Sequence, residues 1–228
     1  MEMEKLPSEL QELFMSTFNQ SYFLKHYKSD KDKSPRGKLE AYLQVVRRFG
    51  TLNKKRKKSL LDVGCGYGKF LQVAKDGFDT YGVDPSEYAI SRAKSATPKT
   101  IFNVATLETF QSKKKYDIIT AFDILEHTEN VPVSLKKIVS LLQPEGIFIC
   151  VVPVYDGPLG FIGGLLDRDK THIQKLSRWE WMKLFENKFT ILEKQGAIRY
   201  SLTGEVYFHL MQPWLFRWGQ AIMVVMKK

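Results

Sequence analysis

Two short stretches carry residues whose types and spacing suit chemistry. In Asp62-Val63-Gly64-Cys65-Gly66-Tyr67-Gly68-Lys69, three glycines alternate with other residues directly behind a short apolar run. Such a loop lets backbone approach a ligand closely where a strand gives way to a helix. A second apolar run ends in Tyr81-Gly82-Val83-Asp84-Pro85, with Asp84 22 residues beyond Asp62. An acid at that place accepts hydrogen bonds from both hydroxyls of a ribose. A dinucleotide loop of the G-x-G-x-x-G form needs glycine at 69, where Lys69 stands. Asp62 would also repel a pyrophosphate in a partly buried site. A ligand with a cationic amino group, a sulfonium, a ribose and no phosphate fits these charges, and S-adenosylmethionine is such a ligand.

The second stretch is Asp123-Ile124-Leu125-Glu126-His127, just past the apolar run Tyr116–Phe122. The sulfonium of S-adenosylmethionine is already a good leaving group, so a protein need only align a nucleophile and take its proton. His127 titrates near neutral pH and suits that role, with an orienting or capping histidine as the alternative. If the chain turns helically here, Asp123, Glu126 and His127 fall at i, i+3 and i+4 on one face. Two carboxylates with imidazoles suit Zn²⁺, Mn²⁺ or Fe²⁺ better than Mg²⁺, which favours an all-oxygen shell.

The elements that must position these residues alternate. Short apolar runs at 60–63, 80–83, 101–104, 116–125 and 147–152 are separated by amphipathic stretches at 69–75, 88–96 and 133–142. That rhythm predicts a parallel, doubly wound α/β sheet, in which ligands bind at the carboxyl ends of the strands. Before it, Leu10, Leu13, Phe14 and Phe18, then Leu39, Tyr42, Leu43 and Val46, have helical spacing. Tyr22 and Tyr27 read as packing residues of that helical part. The stretch 154–166, rich in glycine and apolar residues, is expected to be a flexible segment over the acceptor, a membrane-touching segment or a packed loop. Trp214 and Trp218 read as packing residues.

With 228 residues, 43% of them hydrophobic and 26% charged, the chain can bury a core and is not disordered. Two cysteines, Cys65 and Cys150, exclude a disulfide scaffold. The N-terminus lacks a secretory pattern and no apolar run is long enough to span a membrane, so a cytoplasmic setting is expected. Lys and Arg number 35 against 25 Asp and Glu, a formal +10. Such an excess favours anionic partners. Its densest runs, Lys54–Lys58 and Lys113–Lys115, each precede a strand, where lysines commonly solvate a turn.

From about residue 22 to residue 227 the chain resembles the class I SAM-dependent methyltransferases. Leu60–Phe70 is similar to that superfamily's first motif and Tyr81–Pro85 to its second. Tyr116–His127 resembles its fourth strand with a D-x-L-E-H ending. Leu141-Leu142-Gln143-Pro144-Glu145-Gly146 resembles its L-L-x-P-G-G turn, with Glu145 in place of a glycine. The resemblance implies a Rossmann-like doubly wound sheet of seven strands, six parallel and one antiparallel, the last strand lying near the C-terminus. It implies an N-terminal helical extension, residues 1–58, covering the site, and a methyltransferase domain, 59–228, with a lid segment at 154–176. It implies that Asp62, Gly64 and Gly66 hold the methionine end of the cofactor and Asp84 the ribose, with Cys65 and Pro85 also among the cofactor-binding residues. Thr106 and Leu107 would border the adenine, Thr106 through its backbone, and Phe122 would pack near the sulfonium. Arg36 matches an arginine that some relatives set against the cofactor carboxylate; a solvated helix start is the alternative.

Within the superfamily the layout resembles the ubiquinone-biosynthesis O-methyltransferase group, which carries E-x-x-E-H where this chain has Asp123–His127, and G-T-H where it has Lys170-Thr171-His172. This implies Glu126 and His127 as catalytic candidates and adds His172 to Asp123, Glu126 and His127 as a candidate divalent-metal set. The expected reaction is O-methylation of a small-molecule hydroxyl, phenolic, quinol-like or glycan. RNA 2′-O-methylation and non-catalytic SAM binding are the alternatives. Nucleic acid is not expected as a partner, since no N/D-P-P-Y/F or RNP-like element occurs. Peripheral contact with an anionic membrane surface stays open.

Overall fold

The computed structural model describes residues 18, 20–26, 36–50, 56–167, 169–202 and 206–228. Leu10, Leu13, Phe14, Tyr27, Lys54 and Lys55 lie outside these. The chain forms two compact units, Met1–Lys114 and Lys115–Lys228.

In the first unit, helices α1 (Gln20–His26) and α2 (Arg36–Gly50) precede β1 (Lys58–Val63), α3 (Lys69–Ala74), β2 (Phe78–Asp84), α4 (Glu87–Ala96) and β3 (Ile101–Val104). Helix α2 buries Tyr42, Leu43, Val45 and Val46, whose spacing makes one apolar face. Leu60, Leu61 and Val63 of β1 are buried, as the apolar run predicts for a strand covered on both faces. The strands run parallel in the order β3-β2-β1, with Val63 opposite Val83 and Asp84 opposite Val104. This register brings the glycine loop after β1 and Asp84 at the end of β2 to the same edge. Gly82 has to be glycine, because a Cβ there would meet the Phe102 ring at 2.7 Å and the Cys65 sulfur at 2.8 Å.

The second unit contains β4 (Tyr116–Phe122), a 3₁₀ turn (Leu125–His127), α5 (Val131–Leu141), β5 (Leu142–Pro153), α6 (Gly157–Leu166), α7 (Arg178–Glu186), β6 (Thr190–Leu202), β7 (Val206–Gln212), a 3₁₀ turn (Pro213–Arg217) and β8 (Ala221–Lys227). Its strand order is β4-β5-β8-β6-β7. β4 and β5 are parallel, and β8 lies between β5 and β6, antiparallel to both. The antiparallel strand expected near the C-terminus is thus present. The described strands number eight rather than seven. β6 continues past Gly196 to Leu202 and β7 returns beside it, pairing Gly196 with Gln212 and Leu202 with Val206. The backbone of Leu215, in the second 3₁₀ turn, sits where a side chain at 196 would project, so glycine here marks a close approach and not a strand end. The segment expected to be a flexible apolar stretch contains helix α6. Its glycines allow close packing: a Cβ on Gly160 would lie 2.6 Å from the Val154 carbonyl oxygen.

Candidate functional site

Except for Phe122, the residues expected on the cofactor side lie in the first unit. Gly64, Gly66 and Gly68 have φ of 68°, 49° and 69°, a left-handed conformation that L side chains resist. The loop is pinned by the Gly64 and Cys65 N–H groups, which donate to the Val83 carbonyl at 2.8 and 3.1 Å. Asp84 completes it. Its Oδ2 accepts from the Gly66 N–H at 2.8 Å and its Oδ1 from the Ser86 N–H at 2.9 Å. Burial pushes the Asp84 carboxyl up to about 6, against the lowering effect of those two N–H groups. Asp62 and Cys65 are buried beside it, and burial, with Asp84 and Asp62 adding, raises the Cys65 thiol well above its ordinary range.

Thr106 and Leu107 are buried. The Thr106 hydroxyl lies 3.1 Å from that of Thr109, and its N–H donates to the Thr109 hydroxyl at 3.1 Å. Pro85 is half-buried at the start of the turn into α4. The Phe23 ring lies 5.1 Å from that of Tyr67 and sits over Gly66, where a Cβ would meet it at 3.6 Å. Tyr22 packs edge-on against Phe18 and Phe23. Arg36 projects outward at the start of α2, its guanidinium donating to Glu40 at 2.8 Å with 86% of the side chain exposed. Lys114 stands over the Tyr81 ring at 5.0 Å.

The second unit gathers the acceptor-side candidates. Phe122 ends β4, half-buried. The next residue, Asp123, takes φ 57°, so the chain leaves the strand through a left-handed residue and then makes a 3₁₀ turn. The α-helical i, i+3, i+4 face is therefore not formed. Asp123 turns both carboxylate oxygens to Arg199, at 2.8 and 2.7 Å. Glu126, His127 and His172 do come together, their donor atoms within 4.8 Å of one another and their two rings 4.8 Å apart.

What joins His172 to His127 is backbone. The Ile173 and Gln174 N–H groups donate to the Glu126 carbonyl at 3.0 and 2.9 Å, zipping the segment before α7 onto the 3₁₀ turn. His127 Nδ1 lies 3.0 Å from the Thr171 carbonyl and 2.9 Å from its hydroxyl, which itself donates to Asp169 at 2.6 Å. A carbonyl can only accept, so Nδ1 carries the proton. His172 Nδ1 faces Asp167 Oδ2 at 2.8 Å, and the Tyr155 hydroxyl donates to the same oxygen at 2.6 Å. In neutral imidazoles held this way Nε2 keeps the lone pair. Burial and the neighbouring His172 ring hold His127 below the ordinary histidine range. Burial pushes Asp167 up, but the Tyr155 hydroxyl, the His172 ring and the Asp169 N–H outweigh it and hold the carboxyl low. Burial, then Asp167, raises the Tyr155 hydroxyl. A cavity of about 330 Å³ opens here, with Tyr155, Ile162, Leu166, Asp167, His172 and Arg199 among its walls.

Arg178, itself buried at the start of α7, holds Asp156 just before α6 and the backbone after the second 3₁₀ turn. It donates to Asp156 at 3.0 Å and to the carbonyls of Asp156 and Gly219 at 2.7 and 3.3 Å. Sequence reasoning missed Tyr155, Asp167, Arg178 and Arg199, whose side-chain partners lie 5 to 76 residues away. The one local signal was the Asp167-Arg168-Asp169 acid pair just ahead of Thr171-His172.

The fold is that of SAM-dependent methyltransferases. It superposes with a TM-score of 0.68 on magnesium protoporphyrin IX methyltransferase of Synechocystis PCC 6803, solved with bound S-adenosylhomocysteine, at 17% identity over 96% of this chain and 99% of that one. The N-methyltransferase NodS of Bradyrhizobium japonicum WM9, also with S-adenosylhomocysteine, gives 0.60 at 13% identity, covering 96% and 97%. The family model for the methyltransferase domain matches residues 36–193, and the chain belongs to that family. Among curated relatives, ubiquinone biosynthesis O-methyltransferase of Bradyrhizobium diazoefficiens is 32% identical over 95 residues, 40% of this chain and 38% of that enzyme. Its counterpart from Bradyrhizobium sp. is 29% identical over 67% of this chain and 68% of its own length. The chain thus spans about two fifths of the length of the first of these relatives.

Proposed function

We propose that this protein transfers the methyl group of S-adenosylmethionine to a hydroxyl oxygen of a small molecule, phenolic, quinol-like or glycan. The observation that carries this reading is the cavity of about 330 Å³ whose wall holds His172, paired with Asp167 and ring to ring with His127. A hydroxyl seated there has the His172 imidazole in the surrounding wall. The glycine loop and Asp84 supply a cofactor cradle with acids at both ends, and Lys69 and Arg92 stand over the Tyr67 ring beside it. We assign the methionine end to Asp62, Gly64, Cys65 and Gly66, the ribose to Asp84 and Pro85, the adenine to Thr106 and Leu107, and the neighbourhood of the sulfonium to Phe122. Arg36, exposed and bonded through Nε to Glu40, is left outside this assignment. The ubiquinone O-methyltransferase relatives support oxygen as the target.

In the reaction the acceptor oxygen attacks in line with the methyl–sulfur bond, its proton passes to Nε2 of His127 or His172, and the sulfur leaves as the neutral thioether. Glu126, His127 and His172 also fit a divalent cation, offering one carboxylate and two imidazoles whose Nδ1 groups are already held by Thr171 and Asp167. Such a cation would lower the pKa of the acceptor hydroxyl. Asp123, engaged with Arg199, is not in that donor set. Turnover over a panel of phenols, quinols, sugars and RNA, with and without chelator, tests both halves. Methylation of a small-molecule hydroxyl supports the reading; methylation of RNA alone would replace it. Full activity in chelator removes the cation.

A further inference from the structure

Asp123 decides where the chain goes after β4. Its N–H still donates to the Val151 carbonyl of β5 at 2.9 Å, as a further residue of β4 would. Its φ of 57° then turns the backbone away, Ile124 follows at φ −128°, and the 3₁₀ turn Leu125–His127 begins. The left-handed residue therefore aims the turn that carries Glu126 and His127. In the glycine loop the same conformation falls to Gly64, Gly66 and Gly68, which adopt it freely. At 123 a residue with a side chain adopts it, and such strain persists only where the surroundings hold it.

Arg199 is placed to hold it. Its Nη1 donates to both Asp123 carboxylate oxygens, at 2.8 and 2.7 Å, and the Arg199 side chain is only 15% exposed. Charge-assisted bonds of this length away from bulk water are strong and directional. The strand that carries Arg199 is built for the reach. Among the described residues, β6 pairs with β8 only as far as Ala197, opposite Ala221. Beyond that point β7 supports it, with His209 opposite Arg199, and the Gln220 side-chain amide donates to the Arg199 carbonyl. The β6–β7 hairpin thus fixes the backbone from which one guanidinium reaches the end of β4. On its other side the turn is fastened by the Ile173 and Gln174 N–H groups, which donate to the Glu126 carbonyl. Any swing of the turn breaks those two bonds, so its position can be read at those two amides.

We propose that Arg199 is a positioning residue: by gripping Asp123 it holds the backbone turn that sets Glu126 and His127 beside His172. Its bearing on turnover rests on the methyl-transfer reading, but the grip itself is tested without cofactor or acceptor. The test is amide hydrogen exchange, read by NMR on the full chain, with the Gly64 and Cys65 amides as the reference for overall stability. Arg199→Ala should speed exchange at Ile173 and Gln174 by about tenfold or more while the reference amides keep their rates. Arg199→Lys, whose single ammonium can bond both oxygens as Nη1 does, should stay within about threefold of the parent. Arg199→Ala with Asp123→Gly should exchange like Asp123→Gly alone, because glycine keeps a left-handed turn without the grip. With whichever phenol, quinol or sugar is turned over, Arg199→Ala should lower kcat by about tenfold or more, at an acceptor KM within about twofold of the parent. Failure of methyl transfer to any of them would leave the exchange result standing. Unchanged protection in Arg199→Ala, equal loss at the reference amides, or a double variant no better protected than Arg199→Ala would each overturn the proposal. So would a raised acceptor KM at unchanged kcat, which would make Arg199 a contact for the acceptor instead.

Discussion

Asp84 serves its own fold before it serves a ligand. The Gly66 and Ser86 N–H groups already use one lone pair on each of its oxygens, which ties the glycine loop to the start of α4. Folded Asp84 keeps its proton up to about 6, whereas an unfolded chain releases it near 3.8. The cofactor-free fold therefore loses stability as pH rises through that window. Ribose hydroxyls donating to the carboxylate favour its charged form, so S-adenosylmethionine should bind more tightly as pH rises through about 6, and then level off. Asp84→Ala should weaken binding by about 1–3 kcal/mol and abolish that pH dependence. Calorimetric titration across pH checks both, and unchanged affinity in the variant contradicts the ribose assignment. On the acceptor side, Asp167→Asn removes the carboxylate that orients His172. It should lower kcat by about tenfold to hundredfold with S-adenosylmethionine affinity intact. Equal loss of cofactor affinity would show a merely structural role. The loop glycines, Asp84, Glu126 and His127 were legible in the sequence because each sits within a few residues of a strand end. Asp167, Tyr155 and Arg199 were not, because only tertiary pairing gives them meaning.

At the scale of elements, the sequence rhythm located β1 to β4 and the second half of β5, because each centres on a short apolar run; β5 begins already at Leu142, at the end of the stretch read as amphipathic. The rhythm did not extend to the full length of β6 or to β7, where the strand runs through Gly196 under the Leu215 backbone. It also mistook the geometry after β4, since spacing alone does not separate a 3₁₀ turn entered through a left-handed Asp123 from an α-helix. Glu145 is a further such point. It holds φ 63° where the resembling motif has glycine, and its carboxylate pairs with Lys227 at the surface. The left-handed conformation costs a side-chain-bearing residue more than an exposed ion pair returns. Glu145→Gly should therefore stabilise the protein by roughly 0.5–1 kcal/mol in urea unfolding. A destabilised variant would mean that the ion pair outweighs the backbone.

For the whole molecule, the proposed division places the cofactor residues other than Phe122 in the first unit and the cavity with His172 in the second. A ligand that binds the folded chain stabilises it by mass action. S-adenosylmethionine at a hundredfold excess over its Kd should add about 2.7 kcal/mol and raise Tm by roughly 5–10 °C for a chain of this size. The basic surplus has local explanations where it can be followed: Lys115 donates to the Ser140 carbonyl and Lys114 covers Tyr81. Among the described residues no helix is long and apolar enough to cross a membrane. The claim on which the account stands is methyl transfer to oxygen. Incubation with S-adenosylmethionine deuterated in its methyl group, over a panel of phenols, quinols, sugars and RNA, follows that methyl directly by mass spectrometry. The account predicts the label on a hydroxyl oxygen of a small molecule, in step with S-adenosylhomocysteine release and lost in Asp84→Ala. Label found only on nitrogen or on RNA, or no transfer to any acceptor from a chain that fails to bind the cofactor, would contradict it.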